Sequence, residues 1–144
     1  METNNPQEIE SRVASRYVVF LTLWFAMFMS VLIFLGIVLV VQSQTNPNPM
    51  LSYALLAIGA MTVLVSFLLK HQLTRKAIDN NDVAALQSAH IVSLALCESA
   101  ALLGVLDRFV TGSTTSWLLF ASAVLGILLH FPRKDQLRAV SYKG

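Results

Sequence analysis

One acidic residue lies within an apolar stretch of this chain and offers the clearest opportunity for chemistry. Glu98 falls near the middle of residues 90–106, a run apolar enough to lie in a lipid bilayer. A charged side chain at that depth costs at least about 2.5 kcal/mol, so acids in such positions are first considered for a function. Two interpretations are equally open: a carboxylate that binds an ion, or a protonated carboxyl that hydrogen-bonds a neighbouring helix.

The other polar residues do not form a known catalytic or metal-binding motif. His71, His90 and His130 fall at different depths, and the sequence has no Cys-x-x-Cys, no His-Glu-x-x-His and no glycine-rich phosphate loop. Cys97 is the single cysteine, which excludes an internal disulfide, and we interpret it as a small packing residue. We therefore expect no catalytic residue, no metal and no cofactor, and we do not expect an enzyme.

The composition is that of an integral membrane protein. Hydrophobic residues make up 56% of the chain and charged residues only 12%, against roughly 25% charged in ordinary soluble domains. The apolar residues gather in four blocks, and each must be a helix because an open strand would leave backbone groups unpaired in lipid. We expect one all-α membrane domain, a four-helix transmembrane bundle over residues 1–144 with helices at about 17–41, 50–69, 83–106 and 114–131.

The basic residues predict the orientation of this bundle. All but one of the ten Lys and Arg residues precede the first block, separate the second from the third, or follow the fourth. The exception is Arg108, beside Asp107, and we interpret both as interface anchors. The positive-inside rule then places both termini, the loop at 70–82 and the tail at 132–144 in the cytoplasm. We expect an N-in/C-in, multi-pass protein of the bacterial inner (cytoplasmic) membrane. Its dispersed basic residues predict no nucleic-acid partner.

A stripe of small residues follows the third helix at four-residue intervals. This small-residue stripe consists of Ala85, Ala89, Ser93, Cys97 and Ala101. In membranes such a spacing lets another helix backbone approach closely, so the stripe predicts a helix-packing seam. Glu98 lies one residue, or about 100 degrees, around the helix from the stripe. It can therefore face the bundle or a partner subunit, and the sequence leaves both open.

The hairpin from about Lys70 to Val110 resembles part of a known family. Residues 91–99 read IVSLALCES, and Gly104 follows Glu98 by six residues. This pattern resembles the carboxyl helix of the c subunit (proteolipid) of rotary ATP synthases. The resemblance implies that Glu98 matches the mid-membrane carboxylate of that family and Ser99 the small residue after it. It also implies that Glu98 and Ser99 bind a proton or sodium ion.

The sequence leaves two main hypotheses of function. We expect a non-catalytic accessory or structural subunit of a larger membrane complex, such as an energy-transducing one, in contact with lipid and other membrane subunits. The alternative is a proton- or sodium-binding, proteolipid-like protein that uses Glu98 and forms homo-oligomers, or else a small transporter. The second helix has one glycine, Gly59, where the c subunit carries a glycine repeat. We favour the first hypothesis because a ring of identical copies needs close helix contact on all sides.

Overall fold

The computed structural model describes residues 6–40 and 48–141, and these form five helices. In chain order they are α1 (Pro6–Val40), α2 (Pro49–Asp79), α3 (Val83–Thr111), α4 (Ser116–Leu129) and α5 (Lys134–Ser141). No strand occurs in these two ranges, so the all-α prediction is confirmed for them. Outside the described residues lie residues 1–5, residues 41–47, which include the end of the first predicted helix, and residues 142–144 of the predicted tail.

Three of the helices, α1, α2 and α3, are long and apolar enough to cross a membrane. They contain 35, 31 and 29 residues, whereas a hydrocarbon core requires roughly 20. α4 contains 14 residues and therefore reaches only about 21 Å. It meets α5 at a bend of 50°, and the two count as a fourth span only when they are taken together. These are the helices of a multi-pass membrane protein, while the fourth span stays a prediction.

Local sequence signals set the ends of the long helices. The side chains of Asn48 and Asp82 cap α2 and α3, accepting hydrogen bonds from backbone amides of the first turns at 3.2 and 3.0 Å. α3 ends at Gly112, whose φ of 64° is the left-handed conformation that glycine adopts without a steric penalty. Each cap satisfies backbone groups that the helix itself leaves unpaired.

Two segments that the sequence analysis treated as a loop and a tail are largely helical. α2 continues to Asp79, so only residues 80–82 remain of the predicted loop 70–82. The segment contains neither glycine nor proline, and its Ala77 is completely buried. The predicted tail 132–144 contains α5, whose Leu137 and Val140 are also buried. Helices extend into both segments because the end of an apolar block marks a change of surroundings and does not by itself end a helix.

α3 is the central helix of the bundle. It contacts the other four helices, whereas the backbones of α1 and α2 do not approach each other closely in the part of the chain that the structure describes. α1 and α2 instead pack separately against α3 and α4. The apolar core between α1, α3 and α4 includes Val31, Leu94, Phe120 and Ile127. The molecule is therefore two outer helices joined through a central pair.

A second apolar cluster closes one end of the bundle, which we call the α5 end. Its side chains come from the first half of α1, the last turns of α2, the first turns of α3, and α5: Val13, Phe20, Ala77, Leu86, Leu137 and Val140. α5 thus lies across this end with its apolar side turned towards the bundle. The start of α1 and the last described helix consequently meet at the same end.

Candidate functional site

Glu98 lies near the midpoint of α3 and faces α1 of the same chain. The hydroxyl of Ser30 donates a hydrogen bond to Oε1 of Glu98, and both side chains are half-buried. Ser30 is one of the few small polar residues on a helix otherwise rich in large apolar ones. Of the two orientations left open by the sequence, the structure shows the one in which the carboxyl faces its own bundle.

A second polar contact holds α1 in place. The indole Nε1 of Trp24 donates a hydrogen bond to the backbone carbonyl of Ile127 in α4 at 2.8 Å. The same indole stacks on Phe28, with ring centroids 5.4 Å apart, and meets the edge of Phe131 at 5.1 Å. Trp24 and Ser30 are separated by about 9 Å along α1. Hydrogen bonds to α3 and to α4 therefore fix the rotation of α1 against the bundle.

Ser99, the other predicted ion-binding residue, is bonded within its own helix. Its hydroxyl donates a hydrogen bond to the carbonyl of Leu96 in its own helix at 2.7 Å. Among the described residues no hydrogen bond links it to Glu98. Adjacent residues of a helix point about 100 degrees apart, so the two side chains diverge. The hydroxyl that bonds to the Glu98 carboxyl belongs to Ser30, which was not among the predicted site residues.

Other helices of the same chain cover the small-residue stripe of α3. Ala89, Ser93, Cys97 and Ala101 are buried, and Ala85 is partly buried. The sulfur of Cys97 lies 3.4 Å from the hydroxyl of Ser66 in α2. α4 approaches the same place, since a methyl group added at Gly126 would lie 2.8 Å from that sulfur. α2 and α4 thus approach α3 closely where its side chains are small.

A buried polar cluster lies at the end of the bundle opposite α5. Asp107 is completely buried, and its two carboxyl oxygens accept hydrogen bonds from the hydroxyls of Thr111 and Thr115, each at 2.8 Å. The Thr115 hydroxyl also contacts the hydroxyl of Ser52 in α2. Asp107 therefore joins α3, α2 and the connection to α4. The interpretation of this residue as an interface anchor was wrong, because its side chain is enclosed by the protein.

Arg108, the other predicted anchor, bonds to the backbone beside this cluster. Its guanidinium donates a hydrogen bond to the carbonyl of Gly112 at 3.2 Å, where α3 ends. The spacing of Asp107, Thr111 and Thr115 at four-residue intervals was available in the sequence. It would have indicated that a hydroxyl lies one turn from the carboxyl on the same face of the helix.

Two histidines are buried in the half of the bundle that carries α5. His90 packs its ring on Phe20, with centroids 5.2 Å apart. His130 is completely buried, and its Nδ1 lies 2.6 Å from the carbonyl of Gly126. Nε2 of each ring has no hydrogen-bond partner in the described part of the chain. Within residues 6–40 and 48–141 no group of three His, Cys, Asp or Glu side chains could hold a metal ion.

Comparison of the chain with protein-family models, with curated proteins and with solved structures finds no match. The resemblance of the hairpin to the c subunit of rotary ATP synthases therefore stays a prediction, and functional arguments depend on the geometry of the chain itself.

Proposed function

We propose that this chain is a non-catalytic accessory subunit of a larger membrane complex. The observation that carries this proposal is the hydrogen bond from Ser30 to Glu98. It means that the side chain best placed for chemistry joins α1 to α3 within the chain. A carboxyl used in this way stabilises the fold, because a hydrogen bond between two helices contributes about 1 kcal/mol.

The outer helices support a role in binding lipid and other subunits. α1 and α2 expose large apolar side chains along their length, among them Phe25 and Ile33 on α1 and Met61 and Leu68 on α2. Within a bilayer these faces lie against acyl chains or against neighbouring membrane helices. Because the backbones of α1 and α2 lie apart within the described residues, the two faces are separate, and each is available to a different neighbour.

The proposed topology has four crossings, with both termini in the cytoplasm of a bacterium. The second apolar cluster supports an even number of crossings, because Val13 from α1 and Leu137 from α5 belong to it together. The basic residues support the direction, since Arg108 is the one Lys or Arg that the topology places outside. In this arrangement α4 and the turns beside it make the fourth crossing, and α5 lies at the inner surface.

The test is isolation of the tagged chain in a mild detergent, followed by native mass measurement. We expect a heteromeric complex considerably heavier than the 15.8 kDa chain. The Glu98→Gln variant should be isolated in the same complex, because its amide oxygen still accepts the hydrogen bond from Ser30. A ring of identical copies, or a monomer alone, would contradict the accessory role. A reporter at the C-terminus that proved to be periplasmic would contradict the topology.

A second function, binding of a proton by Glu98, is favoured by one feature of the site. Only Oε1 of the half-buried carboxyl accepts a hydrogen bond within the described residues. A proton suits this site better than sodium, which needs several oxygen ligands, because Ser30 is the one side chain among the described residues that bonds to the carboxyl. Proton uptake into vesicles containing the protein, followed with a pH-sensitive dye, tests this alternative. Uptake that is unchanged in Glu98→Gln would exclude it.

A further inference from the structure

A pocket of about 620 Å³ lies at the α5 end of the bundle, where α2, the end of α4 and the start of α5 meet. Three basic side chains line it: Lys70 and Arg75 from α2 and Arg133 from the bend before α5. The pocket is therefore formed by segments distant in sequence, and its positive charge comes from two separate parts of the chain.

The charges in this pocket are not balanced. His71 also lines it, and Asp79 is its one acidic side chain. Among the described residues none of the three basic groups forms an ion pair within the chain. The ammonium of Lys70 instead donates a hydrogen bond to the carbonyl of His130 at 3.3 Å. With three cations and one anion at neutral pH, an added anion would be stabilised here by charge-assisted hydrogen bonds.

Apolar side chains form another part of the pocket wall. Phe67, Leu129 and Phe131 line it beside the basic groups. Leu129 is 67% exposed, and Leu68 on the adjacent turn of α2 is 65% exposed. The apolar wall therefore continues into the outer apolar surface of the bundle. A ligand that matches both parts carries an anionic group and a long apolar chain, whereas a free anion would leave the apolar wall uncovered.

We infer that this pocket binds the headgroup of an anionic phospholipid. Lys70, Arg75 and Arg133 hold the phosphate, and the acyl chains lie along Leu129 and Leu68. Basic pockets between membrane helices recognise lipid headgroups through the same combination of charge and apolar contact. This inference is independent of the accessory role, since it depends on the pocket alone.

The test is retention of lipid by the purified full chain in mild detergent, measured by native mass spectrometry. With equal amounts of phosphatidylglycerol and phosphatidylcholine added, we expect the protein to retain phosphatidylglycerol preferentially. Arg133→Gln and Arg75→Gln should each weaken this binding about fivefold, the effect of about one basic group near a lipid surface. Both side chains are exposed, so neither change should disturb folding.

Lys76→Gln is the matched control, because Lys76 is exposed, adjacent to Arg75 and not part of the pocket wall. Its binding should stay close to that of the wild type. Equal retention of the two lipids, or equal loss in Lys76→Gln and Arg133→Gln, would overturn the inference. A separate arm adds inorganic phosphate alone and follows thermal unfolding. Stabilisation as large as that given by phosphatidylglycerol would assign the pocket to a free anion and overturn the lipid assignment.

Discussion

Glu98 and Asp107 are the two carboxyl side chains of α3, and the bundle holds them differently. Asp107 is completely buried and accepts a hydrogen bond at each oxygen, from Thr111 and from Thr115. Glu98 is half-buried and accepts from Ser30 at one oxygen. The carboxyl in the middle of the apolar stretch is thus held less tightly than the carboxyl near its end. Enclosure by protein, rather than position along an apolar sequence, decides how strongly a carboxyl is constrained.

Replacing Asp107 with alanine should have the largest effect in this comparison. The change removes the carboxyl acceptor of the Thr115 hydroxyl and leaves the buried Thr111 hydroxyl only the backbone carbonyl of residue 107. We therefore expect a loss of about 3 kcal/mol of unfolding free energy. The measurement is unfolding in mixed micelles by titration with a denaturing detergent, followed by far-ultraviolet circular dichroism. Asp107→Asn keeps one acceptor and should lose about 1 kcal/mol. Stability equal to the wild type in both variants would remove the distinction between the two carboxyls.

Thr115→Val should have an intermediate effect, measured in the same titration. Valine has nearly the shape of threonine but cannot donate to Asp107 or contact Ser52, so we expect a loss of about 1.5 kcal/mol. The matched control is Thr22→Val on α1, where the exposed hydroxyl bonds to its own helix at the carbonyl of Val18. That change should cost under about 0.5 kcal/mol. Similar losses in the two variants would mean that the cluster around Asp107 adds little.

The smallest effects are expected at the contact between α1 and α3. Glu98→Ala and Ser30→Ala should each cost about 1 kcal/mol, and the double variant should cost little more than either one because both remove one hydrogen bond. Glu98→Gln should stay within about 0.5 kcal/mol of the wild type, since the hydrogen bond survives. The same unfolding titration measures all four proteins. A larger loss for Glu98→Ala than for Asp107→Ala would reverse the comparison.

The sequence predicted the helical class and the approximate positions of α1, α2 and α3, because apolar blocks of sufficient length have few structural options in lipid. It did not predict that α2 extends to Asp79 or that α5 packs beneath the bundle. Both features lie where the chain leaves its apolar blocks. There the helix depends on tertiary contacts, such as the burial of Ala77 and Leu137, which composition does not reveal.

The candidate site was predictable only in part for a related reason. Glu98 is conspicuous in the sequence, but Ser30 lies 68 positions away, and its approach depends on how α1 is rotated. α1 is apolar on nearly every side within the membrane, so no polar periodicity specifies that rotation. For Asp107, in contrast, a hydrogen-bonding partner could be read from the sequence. Its spacing was visible, but the adjacent Arg108 suggested a surface pair and concealed the buried network.

Because α1 packs mainly on helices that follow α2 in the chain, the order of assembly differs from the order of biosynthesis. Chains are made from the N-terminus, so α1 reaches the bilayer first, yet the helices on which it packs are α3, α4 and α5. Until those helices enter the bilayer, α1 is surrounded mainly by lipid. This suits its composition, because it is the most apolar of the three long helices. α3, the least apolar of the three, emerges from the ribosome later. Glu98 thus enters the membrane when Ser30, which donates a hydrogen bond to it, is already there.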